Sequence, residues 1–241
     1  EGFEMAALEK AAAGTKEETG ISFEFAAEGT VTEITATGIG AHASTPDVGN
    51  NALTGLLVFL GKLDFASCPQ VDMVRKTASL FPHGDVNGKT LGVAMEDELS
   101  GNLTLSFNML SVDAASMDGE FDGRIPVCGN DENVLEVVRA RMAEQGLTLL
   151  NKALIPPHHV SADSYFVKTL LAAFELYTGR KGECQALGGG TYVHHLENGV
   201  AFGAAMPETD NKMHGPDEFA VVDELLVSAK IFAQAIVDLC G

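Results

Sequence analysis

Positively charged residues are scarce in this chain. Its 241 residues include 15 lysines and arginines against 34 aspartates and glutamates, which gives a formal net charge of -19 at pH 7. Such a surface repels a polyanion, so nucleic acid is excluded as an expected partner. Long apolar runs are absent as well. Without a stretch of 18 apolar residues, neither a membrane-spanning helix nor a membrane partner is predicted.

Cysteine is sparse too. The four cysteines lie far apart and include no C-x-x-C pair. Structural zinc sites usually show close ligand pairs, and secreted disulfide scaffolds are denser in cysteine. We therefore expect four reduced thiols in a cytoplasmic protein without a signal peptide. The first residue, Glu1, stands inside a predicted helix, so we expect that a natural beginning has been removed.

Residues 1–157 combine helical and strand-like patterns. A hydrophobic fraction of 46% is sufficient for a sizeable core. Strands packed with a helix are predicted twice, in residues 21–63 and 101–155, which indicates two related α+β halves. The predicted elements are a helix over 1–13, a turn over 14–20, a hairpin over 21–40, a helix with the stripe Leu53, Leu56, Leu57 and Leu60, strands over 101–110, 120–129 and 148–157, and a helix over 131–145.

One of these strands has a clear alternation. Leu103, Leu105, Phe107 and Met109 are separated by polar residues, which predicts a half-buried strand with these four side chains directed to a core.

The pattern changes after Pro156 and Pro157, which mark a predicted boundary. Residues 158–241 predict α/β organisation: a helix over 164–178, a strand over 184–187, a glycine turn and short helix, a strand over 200–206 and a helix over 222–239. Both strands are apolar throughout, as is typical of strands buried on both faces. Two strands cannot form a doubly wound sheet, so we expect their neighbours to come from missing sequence or from another chain.

Two candidate functional residues lie in the first region. His42 stands between a predicted strand and a predicted helix, where its ring N–H could stabilise an oxyanion, or simply bond a neighbouring carbonyl. Arg124 lies near the end of a strand and could present its guanidinium to a carboxylate, or form a salt bridge with Asp122 or Glu120.

Two further candidates lie in the second region. The turn Gly188, Gly189, Gly190 and Thr191 precedes a short helix, where backbone N–H groups could approach an anion, or where the glycines only form a tight turn. His214 follows the last predicted strand, a position that suits a metal ligand. One histidine cannot hold zinc, which takes three or four protein ligands. The H-x-D pattern of His83 and Asp85 and the pair Glu17 and Glu18 are interpreted as features of hydrophilic turns.

Five segments together resemble the M20 metallopeptidases. The segment G-I-G-A-H-A-S-T-P-D-V-G-N-N-A is similar to the signature of their lid domain. The blocks S-A-D-S-Y-F-V-K, L-G-G-G-T-Y, G-V-A-F-G and N-K-M-H-G-P-D-E are similar to PepV-type dipeptidases. The resemblance covers nearly the whole chain, least clearly residues 64–90.

The resemblance implies an architecture and a reaction. It implies a lid of ferredoxin-like α+β halves over 1–157 and the C-terminal part of an α/β zinc-peptidase catalytic domain over 158–241. Two zinc ions, with manganese or cobalt as alternatives, would activate the water that hydrolyses a dipeptide. By resemblance, His42 would steady the oxyanion, Arg124 and the turn Gly188–Thr191 would hold the substrate carboxylate, and His214 would be the last zinc ligand.

The other metal ligands and the general base of that family precede the lid, and nothing here matches them. This chain alone is therefore expected to bind no metal and to be inactive without a missing N-terminal part of the same polypeptide. Two alternatives remain open: another M20 amidohydrolase, such as a deacylase or carboxypeptidase, and a catalytically inactive binding or oligomerisation module.

Overall fold

A computed structural model describes residues 2–203, 206–212 and 217–241. The chain forms two units, one of residues 1–157 with 187–189, and one of residues 158–186 with 190–241. The first unit mixes helices with small antiparallel sheets. The α+β organisation that the sequence predicts for this region is therefore confirmed.

The first half of this unit consists of two helices and a hairpin. Helix α1 spans Met5–Thr19, strands β1 and β2 span Ser22–Glu28 and Val31–Thr37, and helix α2 spans Ala52–Gly61. The two strands pair antiparallel from Ser22 opposite Thr37 to Glu28 opposite Val31. Phe59 of α2 is fully buried and stacks on Phe23 of β1, with ring centroids 4.7 Å apart. Leu56 and Leu60 of the helix stripe pack in the same cluster as the hairpin, whereas Leu53 and Leu57 pack in the core of the second half.

The turn predicted over residues 14–20 is wrong, because α1 continues through it. Thr15 is fully buried and its hydroxyl donates to the carbonyl of Ala11 at 2.8 Å, so it joins the packed face of the helix. Gly20 ends the helix instead, with a φ of 74° that favours glycine.

The second half contains the longer hairpin. Helix α3 spans Pro69–Leu80 in a stretch for which the sequence predicted no element. The remaining elements are β3 (Glu96–Asp97), β4 (Gly101–Asn102), β5 (Thr104–Val112), β6 (Met117–Arg124), a π-helical turn (Asp131–Leu135) and α4 (Glu136–Glu144). Asn130 caps the π-helical turn by accepting from the N–H groups of Glu132 and Asn133.

The alternation in β5 is interrupted by a bulge. Leu103, Leu105 and Phe107 are buried as predicted, but Met109 is 60% exposed. Phe107 pairs with Phe121 and Met109 with Glu120, so Asn108 is an extra residue without a partner in the ladder. One extra residue reverses which face the following side chains occupy. The predicted inward position of Met109 is therefore wrong.

Two other predicted strands of this region differ from the structure. Strand β6 ends at Arg124 rather than continuing to Gly129, and residues 148–157 form no strand. In that segment the carbonyls of Leu149 and Asn151 accept from the guanidinium of Arg139 rather than from a neighbouring strand. A side chain thus satisfies backbone groups that a sheet would otherwise pair.

The second unit is built on two helices. Helix α5 spans Tyr165–Thr178 and begins after Ser164, whose hydroxyl accepts from the N–H of Val167; helix α6 spans Val222–Cys240. They pack through Leu170, Ala173, Ile231 and Ala235. A 3-10 helix spans Tyr192–His195. None of the helices in the described ranges is long and apolar enough to cross a membrane.

The two strands predicted in this unit are not formed within the described residues. Residues 184–187 and 200–203 are extended or irregular, and residues 204–205 lie outside the description. A strand needs hydrogen-bonded neighbours, and in the described part of this unit no other strand is present to supply them.

Candidate functional site

His42 lies in a loop that is closed at its base. Ile39 and Asn50 form an isolated antiparallel bridge, with N–H to carbonyl distances of 2.9 and 2.8 Å in the two directions. Inside the loop the N–H of Thr45 donates to the His42 carbonyl at 2.9 Å. At Gly49 a Cβ atom would lie 2.7 Å from the Ala41 Cβ, so only glycine allows the two sides of the loop to approach this closely. The position of His42 is thus set by backbone contacts.

Ser44 determines which nitrogen of His42 carries the proton. The backbone N–H of Ser44 donates to Nδ1 of His42 at 3.2 Å, and its hydroxyl lies 2.7 Å from the same nitrogen. A backbone N–H can only donate, so Nδ1 must be the acceptor. In the neutral ring the hydrogen is therefore on Nε2, which is the donor nitrogen of the ring.

This assignment gives a testable prediction. Ser44→Ala keeps the backbone donor but removes the hydroxyl, whose net contribution is on the order of 1 kcal/mol. We expect the fraction of the Nε2–H tautomer relative to Nδ1–H to fall roughly fivefold. Nitrogen-15 NMR of the labelled imidazole measures the two tautomers directly, and Ser79→Ala, on the exposed side of α3, is the control. A wild-type ring protonated mainly on Nδ1 would contradict the assignment.

Arg124 lies on the polar face of the β5–β6 hairpin. Its Nε is 2.6 Å from Oδ1 of Asp122, and its Nη2 donates to Oδ2 at 2.9 Å. The Arg124 side chain is 29% exposed and the Asp122 side chain 35%. The salt bridge with Asp122, which the sequence left open, is thus formed. A guanidinium has five N–H donors, so a carboxylate that occupies one edge leaves another edge suited to a second carboxylate.

Thr104 connects the β5–β6 hairpin that carries Arg124 with the loop of His42. In the ladder Thr104 of β5 stands directly opposite Arg124 of β6, so the two side chains share one face of the hairpin. The hydroxyl of Thr104 donates to the carbonyl of Ala43, the residue after His42, at 2.9 Å. The structure therefore places the loop of His42 against the hairpin that carries Arg124.

Gly188 lies against the same loop. A Cβ atom at Gly188 would lie 2.5 Å from the Cβ of Ser44, so a larger residue would collide with the serine that orients His42. Around Gly189 there is open space. The glycines of the turn thus differ in role, since only Gly188 is required for a close approach to the loop.

The remaining candidates belong to the second unit. Gly190 has no atom within 4 Å of the position that a Cβ would take. Thr191 precedes the 3-10 helix, and its N–H lies 3.4 Å from Nδ1 of His194. His214 lies outside the described residues. The roles suggested for these residues by resemblance stay predictions.

Asp85 and His83 take part in local structure. Burial raises the pKa of Asp85, but N–H donors of Thr90, Lys89 and Asn87 outweigh that effect and lower the pKa below its usual value. Nδ1 of His83 lies 2.9 Å from the hydroxyl of Thr54. Among the residues described, no three His, Cys, Asp or Glu side chains are grouped so that they could hold a metal ion.

The sequence is similar to those of bacterial dipeptidases. It is 34% identical over 208 residues to the Beta-Ala-Xaa dipeptidase of Lactobacillus delbrueckii subsp. lactis, an alignment that covers 86% of this chain and 44% of the relative. It is 37% identical over 207 residues to the Bacillus subtilis protein named "Putative dipeptidase YtjP", covering 84% of this chain and 43% of the relative. No protein-family model matches.

These similarities confirm the resemblance to dipeptidases that the sequence blocks indicated. The chain spans less than half the length of the curated relatives it matches.

Proposed function

We propose that this chain supplies the substrate-gripping part of an enzyme that hydrolyses dipeptides. The proposal depends most on one observation: the loop of His42 is tied to the β5–β6 hairpin, opposite Arg124, by the hydrogen bond from Thr104 to Ala43. The loop that carries the His42 donor and the hairpin that carries the Arg124 guanidinium are thereby joined within one unit. A dipeptide presents a scissile carbonyl and a terminal carboxylate that such a pair could bind together.

The roles of the two residues follow from their chemistry. The second edge of the Arg124 guanidinium would bind the C-terminal carboxylate and so fix the distance to the peptide bond. The Nε2–H of His42 would donate to the carbonyl oxygen, which becomes negatively charged when water adds to the carbonyl carbon. The C–N bond then breaks, and the amine leaves with a proton from the attacking water.

The spacing of the two groups would select which peptide bond is cut. The C-terminal peptide bond lies at the same distance from the terminal carboxylate in every peptide, whereas all other peptide bonds lie at least one residue farther from Arg124. The pair therefore selects the C-terminal bond of a bound peptide and does not by itself exclude longer peptides. We propose selectivity for dipeptides on the name of the Lactobacillus relative alone.

Metal ions are proposed on the resemblance alone. The described residues do not by themselves form a metal site, and no step above passes through one. If two zinc ions, or manganese or cobalt, activate the water, His214 is the candidate ligand in this chain. The other ligands would belong to a further part of the same polypeptide, which is the proposed partner of this chain. A cytoplasmic location is likewise a proposal; the four cysteines are free thiols in the structure.

A substrate panel tests the proposed function. The complete gene product that contains this sequence is assayed with dipeptides, including β-alanyl dipeptides, and with N-acyl amino acids and tripeptides. We expect dipeptides to be the best substrates. Preference for N-acyl amino acids would favour the deacylase alternative, and no hydrolysis of any substrate would favour an inactive binding module.

A further inference from the structure

We infer that Thr104 is a positioning residue that sets the spacing between His42 and Arg124, and thereby aligns the C-terminal peptide bond of a bound substrate with its carboxylate. This inference rests on the proposed function. Thr104 is part of neither binding group, and the sequence alone gives no reason to select it. Its importance follows from its place in the ladder, opposite Arg124, together with its bond to the loop of His42.

The loop is held to β5 at two points. Thr104 donates to the carbonyl of Ala43 at 2.9 Å, and Asn51, just after the closing bridge, donates through Nδ2 to the carbonyl of Phe107 at 2.8 Å. The Asn51 side chain also caps α2 by accepting from the N–H of Thr54. Asn51 thus fixes the C-terminal end of the loop, whereas Thr104 bonds to the residue next to His42.

The other contacts of the loop do not duplicate the hydrogen bond from Thr104 to Ala43. The bridge of Ile39 and Asn50 closes the base, and the bond from Thr45 to His42 makes a local turn. Both of these contacts lie within the loop and involve no residue of the β5–β6 hairpin. The Thr104 hydroxyl, in contrast, bonds to the loop from the hairpin position directly opposite Arg124. Without the hydroxyl the loop would keep its turn but could shift relative to the guanidinium.

A shift of this kind would change the reaction rate more than folding. Displacing a reacting group by about 1 Å can reduce a rate on the order of 100-fold, because the reaction depends on alignment. A loop that can move away from Arg124 would hold a dipeptide less well aligned. The loss is expected in kcat more than in KM, because the substrate carboxylate can still bind Arg124.

The test uses variants of the complete gene product. Thr104→Val preserves shape and strand preference but removes the donor. We expect kcat for dipeptides to fall roughly 10-fold, with a much smaller change in KM. Thr104→Ser, which keeps the hydroxyl, should restore most of the rate. Thr35→Val, at an exposed threonine of β2, is the matched control and should change neither kcat nor KM.

Amide hydrogen exchange shows whether the loop itself becomes less firmly held. Faster amide hydrogen exchange across residues 41–49 in Thr104→Val, but not in Thr35→Val, would support the mechanism. If the valine variant fails to fold, Thr104→Ala tests the same loss. An active enzyme whose kcat for dipeptides is unchanged when the hydroxyl is removed would overturn the inference alone. A wild type that hydrolyses no dipeptide would overturn the proposed function and this inference with it.

Discussion

Replacing His42 by alanine is expected to lower kcat for dipeptides about 100- to 1000-fold, with a much smaller change in KM. The reason is that an oxyanion donor binds the transition state more strongly than the substrate carbonyl, so its loss appears mainly in the chemical step. The measurement is steady-state kinetics of the complete gene product with its best dipeptide.

Two comparisons sharpen this prediction. His159→Ala replaces an exposed histidine and should leave kcat unchanged. His42→Gln retains an N–H donor, although not in the same place, and should retain part of the rate. Unchanged turnover in His42→Ala would remove the residue from the mechanism, and a rise in KM with unchanged kcat would indicate a role in binding alone.

Replacing Arg124 by methionine is expected to raise KM for dipeptides roughly 30-fold, which corresponds to about 2 kcal/mol. The figure is near the lower end for a charged pair because the side chain is 29% exposed, and solvent screens the interaction. Arg124→Lys should recover only part of the loss, since an ammonium group cannot bind Asp122 and a substrate carboxylate through two flat edges.

The control for this variant is Arg75→Met. Arg75 lies on α3 with its side chain 49% exposed and its Nη1 3.9 Å from Asp72. It matches the loss of charge away from the hairpin face and should leave KM unchanged. If both arginine variants raise KM equally, net charge rather than a specific clamp determines the binding of substrate.

Local patterns in the sequence predicted most of the first unit correctly. The hairpin of β1 and β2 follows from aromatic residues before a glycine turn and β-branched residues after it, and α2 from its apolar stripe. The bulge at Asn108 could not be predicted, because it depends on how β5 pairs with β6. The strand predicted over 148–157 failed for a similar reason: Arg139, nine residues before the segment, binds its carbonyls.

In the candidate site, too, local sequence predicted some features, and long-range contacts determined the others. His42 and Arg124 were identified from residue type and motif. Ser44 stands two residues after His42, so its role could have been found from spacing alone. Thr104 carries no local signal, since its role comes from long-range pairing with residues 43 and 124. Motifs therefore indicate the binding groups, but the contacts that hold them in place follow only from the fold.

The most direct test of the central claim compares a dipeptide with its C-terminal amide, using the complete gene product and its Arg124→Met variant. If His42 binds the scissile carbonyl and Arg124 the terminal carboxylate of one substrate, amidation should lower kcat/KM of the wild type roughly 30-fold. The same amidation should have little effect on the variant, which has already lost the clamp. Equal sensitivity to amidation in both proteins would contradict the account.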